Sequence, residues 1–355
     1  MKRIDNLIAA LALQKNEAVV LHFEPNMYYL SGYHGEGLVV VSKEIQAIIT
    51  DFRYTEQAEK QAPGFAVHMI GNGKGHNAVL AECLQKHSIS RLYVEQDVLS
   101  FNAYHALQKA VGNVELLDLG NTVANLRAYK DEQEVSFIAK ACQITGESFM
   151  EILPYIKEGV TERELTARLE YIMKVKGSHG NAFDVICAAG KNGSLPHAVP
   201  SDYKVQLHDM ITFDFGAKYE GYCADMTRTC ALGTPSDTML KVYNTVKEAQ
   251  AIGLQALKPG VVCSSVDKAS RDYIYAHGFE GRFGHGLGHA VGIEIHENPR
   301  LSAMCEDIVQ VNHILTVEPG IYLPNVGGVR IEDTCLVTET GNRPLTEVTK
   351  DLIIL

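Results

Sequence analysis

Four carboxylates and a run of histidines in the second half of the chain have the types and spacing to do chemistry. Asp214 sits where Ile211, Phe213 and Phe215 alternate with Thr212, the period of a strand. Lys218 to Gly221 reads as a turn, with Gly221 free to take positive φ. A hairpin closed midway between Tyr219 and Glu220 sets Asp214 opposite Asp225. Side chains so opposed stand roughly 5 Å apart and like charges there repel. Either a cation lies between the two aspartates or one of them points to solvent. A second stretch repeats the pattern. Leu315–Leu323 and Val329–Val337 flank a turn, Asn325-Val-Gly-Gly328, and symmetry about Asn325 sets Glu318 opposite Glu332. Pro319 inside a strand marks an edge or bulge, which suits backbone bent around a site.

Between the hairpins lies Gly284-His-Gly-Leu-Gly-His-Ala-Val-Gly-Ile-Glu-Ile-His-Glu-Asn-Pro-Arg300. A lone histidine is ordinarily a satisfied core or surface residue. His285, His289 and His296 on one glycine-rich strand, beside two acidic hairpins, suggest more. One imidazole and four carboxylates form a hard, oxygen-rich set that suits two divalent ions such as Mn, Co or Zn, and suits neither a thiolate zinc site nor copper. Four carboxylates also balance two dications. Two such ions roughly 3.5–4 Å apart lower the pKa of a water and polarise a carbonyl, the chemistry of hydrolysis.

The elements that must position these residues follow from the pattern along the chain. With 355 residues, 46% hydrophobic and 21% charged, the composition is that of a globular protein of two or three domains. A net charge of −11 argues against nucleic acid as a partner. The eight cysteines are scattered without a Cys-x-x-Cys pair, so reduced thiols in a cytoplasmic protein are expected. Met1–Leu13 superficially resembles a signal peptide, but Asp5 and Asn6 interrupt it and an opening helix is the better reading. No stretch reads as a membrane span. Residues 1–125 alternate short strands (Ala18–His22, Gly37–Val41, Ala47–Asp51, Arg91–Glu95) with helices (Thr55–Gln61, His76–Lys86, Phe101–Ala110), an α/β domain with a mixed sheet and no phosphate loop. Asn26–Gly37 reads as an aromatic, glycine-punctuated loop. From residue 126 to 355 the order is two helices and a carboxylate-bearing hairpin, twice over: an internally duplicated α+β domain. Thr161 and Glu164 form a capping box for the second of these helices.

With those residues in place the chain resembles the pita-bread metallopeptidases, in their proline-specific branch of Xaa-Pro dipeptidases (prolidases) and aminopeptidases P. The resemblance covers essentially the whole chain. It is carried by Asp-Phe-Gly with Asp214, Ala-Asp-Met-Thr-Arg-Thr with Asp225, Gly-His-Gly-Leu-Gly-His with His289, Val-Glu-Pro-Gly with Glu318 and Arg-Ile-Glu-Asp with Glu332. It implies a C-terminal pita-bread catalytic domain behind a smaller N-terminal domain, and these five residues as ligands of a dinuclear centre, most simply manganese. It implies proton transfer by Glu318, substrate binding and oxyanion stabilisation by His197 and His296, and an Arg300 that holds a dipeptide's free carboxylate. His285 is left between a supporting and a structural role. The substrate implied is a proline-containing dipeptide, or a longer peptide for aminopeptidase P. Methionine aminopeptidase shares the ligands but not the N-terminal domain. Creatinase lacks the full metal set, and a non-catalytic pita-bread binding protein would have lost ligands. Family members commonly pair, so a homodimer is expected, with the loop around Tyr33 reaching a partner's cleft.

Overall fold

The computed structural model describes residues 2–71 and 73–355. The chain forms two compact units, Met1–Arg127 and Ala128–Leu355. No helix among the described residues is long and apolar enough to cross a membrane.

The first unit has helices α1 (Lys2–Ala10), α2 (Glu24–Ser31), α3 (Thr55–Gln61), α4 (His76–Lys86) and α5 (Phe101–Val111), with α6 (Thr122–Ala128) at its end. Its strands are β1 (Glu17–Leu21), β2 (Leu38–Ser42), β3 (Gln46–Thr50), β4 (Ala66–Met69), β5 (Arg91–Val94) and β6 (Glu115–Asp118). They form one mixed sheet in the order β4-β3-β2-β1-β5-β6, antiparallel across β1–β2–β3 and parallel elsewhere. The expected mixed α/β architecture is present. Strands β4 and β6 were not foreseen: both are four-residue edge strands with exposed ends and no long apolar run to announce them. The first half of the segment read as an aromatic loop belongs to the helix α2. Its start is capped from a distance: the Glu95 carboxylate accepts from the amides of His22 and Phe23 and from Asn26 Nδ2, at 2.6, 2.9 and 2.7 Å. A partner some seventy positions away leaves no local signal. Tyr33, expected to reach outward, is fully buried, and its hydroxyl donates to the Glu36 carbonyl.

The second unit shows the duplicated layout. Helices α7 (Glu132–Ile152) and α8 (Glu162–Val175) precede β7 (Gly180–Asn181), β8 (Ile186–Ala189), β9 (Met210–Phe215), β10 (Ala217–Tyr219), β11 (Tyr222–Cys223) and β12 (Met226–Ala231). Helices α9 (Asp237–Ala256) and α10 (Cys263–Ala276) precede β13 (Gly288–Ala290), β14 (Glu297–Leu301), β15 (Ile314–Val317), β16 (Gly320–Leu323), β17 (Gly327–Arg330), β18 (Asp333–Thr338) and β19 (Gly341–Pro344). Both α7 and α8 open on complete capping boxes, Asp131 with Glu134 and Thr161 with Glu164. Each helix pair buries its apolar face against its own strands. One cluster gathers Phe149, Leu165, Leu169, Phe213 and Phe215, and the other Val242, Val246, Val266, Leu315 and Val337. The sheets are thereby packed from behind, and the carboxylates stand on their strands or at the breaks between them.

Candidate metal centre

The two hairpins place their carboxylates differently from one another. In the first, Lys218 pairs with Cys223 and Tyr219 with Tyr222, so the turn is Glu220-Gly221, one residue further along than the sequence symmetry indicated. Asp214 therefore lies opposite Thr227, not Asp225. Asp225 stands two residues before Thr227, which makes it a diagonal neighbour of Asp214 on the same face. Gly221 takes positive φ as expected, at 76, but Glu220 before it does too, at φ 44, and this moves the centre of the turn. In the second hairpin Val317 pairs with Asp333 and Gly320 with Arg330. One register runs through both ladders and sets Glu318 across from Glu332 at the break between them, as the symmetry about Asn325 predicts. His289 lies on β13, which pairs with β15 beside the second hairpin.

Asp225, His289 and Glu332 each offer a ligand atom, all within 4.8 Å of one another. His289 Nε2 is 3.5 Å from Asp225 Oδ2 and 3.4 Å from Glu318 Oε1. Its Nδ1 faces the Ala290 carbonyl at 3.1 Å and so carries the proton. Burial, with the nearby His296, lowers the His289 pKa to about 4, so the ring is neutral. A neutral lone pair thus faces two acid oxygens, and once those acids ionise all three are acceptors with no donor among them, the array a cation would satisfy. Burial first, then the other acids, drives Asp225 and Glu332 well above the usual carboxylate range. Glu318 is raised to about 8, chiefly by burial and further by Asp214, against the opposing pull of Arg330. Asp214 Oδ1 and Glu332 Oε1 are buried with no hydrogen-bond partner among the described residues. Unpaired buried oxygens, mutually repelling acids and an inward lone pair are what a bound divalent ion would satisfy, so the donor set fits the metal.

A supporting network went unforeseen. The Arg330 guanidinium donates to Asp214 Oδ2, to Thr227 Oγ1 at 3.0 Å and to the Tyr322 hydroxyl at 2.7 Å. Thr227 in turn donates to Glu332 Oε2 at 2.7 Å. His285 joins through Tyr322: its Nδ1 faces the Gly286 carbonyl, so its Nε2 accepts the Tyr322 hydroxyl at 2.8 Å. Burial lowers His285 to about 4 and raises Tyr322 to about 12, which keeps that donor direction fixed. Strand periodicity would have found Arg330 and Thr227, each two residues from an acid on the same face. Tyr322 needed the fold.

Asp214, Asp225, His289, Glu318 and Glu332 line one cavity of about 650 Å³, and His197, His285, His296, Arg300 and Arg330 line it with them. The ring of His296 stands 4.4 Å from that of His289, nearly perpendicular to it. Arg300 pairs directly with His289 across β13–β14, so both side chains leave the sheet on one face. His197 is exposed on the loop after β8. Phe183, Ile186, Pro196, Val199 and Ile295 supply an apolar wall that the sequence did not reveal.

Residues 136–339 match metallopeptidase family M24, and residues 3–129 match the creatinase/prolidase N-terminal domain. The chain belongs to metallopeptidase family M24. As an M24 member it is a peptidase that acts on peptides with divalent metal ions. This M24 chain is 39% identical to an uncharacterised peptidase of Bacillus subtilis, across 100% of its own length and 99% of that protein's. The structure of an Xaa-Pro dipeptidase from Bacillus anthracis superposes with a TM-score of 0.96 at 38% identity, covering 100% of this chain and 99% of that one. An X-Pro aminopeptidase from Thermotoga maritima superposes at 0.92 with 34% identity, covering 98% and 100%.

Proposed function

We propose that this M24 peptidase cleaves the bond between the two residues of Xaa-Pro dipeptides, with two divalent ions, most simply manganese, held by Asp214, Asp225, His289, Glu318 and Glu332. The observation that carries the reading is the convergence of these donors, two with unsatisfied buried oxygens, on a cavity that also holds Arg300. When bound, the ions would activate a water and polarise the scissile carbonyl. The protein's own groups do the rest. Glu318, partly exposed at the cavity wall, carries the proton to the departing prolyl nitrogen. His197 and His296, both exposed on the wall, orient the carbonyl and donate to the developing oxyanion. The prolyl nitrogen has no N–H, so the ring is recognised by shape, and the apolar wall offers that surface. Arg300 pairs with the free carboxylate.

Similarity to an Xaa-Pro dipeptidase supports the dipeptide reading, and similarity to an X-Pro aminopeptidase supports its alternative, action on longer peptides. Arg300 tips the balance, because a cation that lines the same cavity as the proposed ligands suits a dipeptide's free carboxylate. Parallel assays of Xaa-Pro and Xaa-Pro-Yaa with manganese or cobalt separate the two. Dipeptide turnover that falls on Arg300→Ala, with tripeptides poorly cleaved, is the expected result; faster tripeptide cleavage that is indifferent to Arg300 assigns the aminopeptidase. The proposed compartment is the cytoplasm, where the eight free thiols stay reduced.

A further inference from the structure

His197 lies on a loop, and an exposed loop of this length needs something to hold it. Gly190–Ser194 forms a short 3-10 turn, and the chain then runs through Leu195–Pro200 before returning at Ser201. Glu162, the first residue of α8, is 0% exposed and reaches under this loop. Its Oε1 accepts from the Ala189 amide at 2.7 Å and from Asn192 Nδ2 at 3.1 Å. Its Oε2 accepts from the Ser201 amide at 2.9 Å, from Ser201 Oγ at 2.7 Å and from Asn192 Nδ2 at 3.2 Å. One carboxylate therefore ties both ends of the loop, and Asn192 within it, to a single point. The helix start adds to the tie: the amides of Glu162 and Arg163 donate to the carbonyls of Tyr203 and Ser201 at 3.2 Å each. The far side is held by the metal-site scaffold. Arg330 donates to the Pro196 carbonyl at 3.2 Å, and Gly328 approaches the loop so closely that a Cβ there would lie 2.0 Å from the Gly193 carbonyl oxygen.

Glu162 has no place among the proposed ligands or substrate contacts, is not among the residues that line the cavity, and is buried with an acceptor capacity that its partners fill. A buried carboxylate is costly unless so satisfied, and its hydrogen bonds are charge-assisted and strong. We infer that Glu162 is a positioning residue, a clamp that fixes the loop carrying His197 against the cavity. The inference rests on the role proposed for His197, and the test separates the two.

The experiment compares wild type, Glu162→Gln, His197→Ala and the double variant in the metal-loaded protein. It reads kcat and KM for the dipeptide Leu-Pro, metal content, and amide hydrogen exchange. Gln turns an N–H donor toward donors, so exchange of residues 189–201 should quicken while α7 and α9 are unchanged. With metal content intact, kcat/KM should fall by about tenfold, the loss of one charged hydrogen bond's worth of organisation. In the His197→Ala background the same substitution should cost less than about twofold, since coupled residues are non-additive. An equal loss with and without His197, or unchanged exchange over 189–201, overturns the clamp. If His197→Ala alone keeps wild-type kcat/KM, the role of His197 fails, and exchange then decides the clamp by itself: quickened upholds it, unchanged overturns it. Should Glu162→Gln not fold, Ser201→Ala removes one bond of the set and is read in the same way.

Discussion

Arg330 donates to Asp214 and, through Thr227, reaches Glu332, so one guanidinium braces two acids. That leaves Asp225, Glu318 and Glu332 dependent on a cation for the rest of their charge, and two measurements follow. Asp225→Asn keeps the shape and the Thr334 hydroxyl bond to the residue 225 carbonyl, so the variant should fold with a near-wild-type melting temperature yet lose activity and metal; turnover at wild-type metal content contradicts this. The second concerns pH. Raised carboxyl pKa values mean that the folded, metal-free protein holds protons the unfolded chain has released, so its stability falls as pH rises through them. The lowered His22, His285, His289 and His313 act the other way, but only between about 4 and their ordinary 6.5. From pH 6.5 to 8 the raised acids set the slope, with Glu318 at about 8. The chelated protein should melt progressively lower across that window, and the metal-loaded protein should not; parallel melting curves contradict the account. That Asp214, Asp225, His289, Glu318 and Glu332 share one cavity was legible because each sits in a short motif. The apolar wall was not, because Phe183, Pro196 and Ile295 come from separate segments with no shared period.

The hairpins show where element-level reading succeeds and where it slips. Alternation found the strands of both, and the second register followed from symmetry alone. The first failed by a two-residue offset because a non-glycine residue, Glu220, occupies a left-handed position followed by Gly221 at φ 76. Two successive positive-φ residues are the signature of the tight hairpin turn that favours Asn-Gly. Glu220→Asn should therefore stabilise the protein by about 1 kcal/mol, seen as a higher denaturation midpoint with unchanged slope; a lower midpoint contradicts the turn assignment. The helices were the most legible elements, since α7 and α8 announce their starts with capping boxes, whereas α2 relies on Glu95 from another part of the sheet.

At the scale of the molecule, the duplicated layout lets two helix pairs back two acidic hairpins, so the proposed centre is built from both halves of one unit. The homodimer that the family resemblance implies is tested by sedimentation of the metal-loaded protein: a dimer at assay concentration is expected, and a fully active monomer contradicts it. The central claim is that five side chains from those halves enclose two divalent ions. Crystals grown with manganese, measured at its absorption edge, test it most directly. Two anomalous peaks among Asp214, Asp225, His289, Glu318 and Glu332 are predicted; a map with no peak there, and those side chains turned apart, would contradict it.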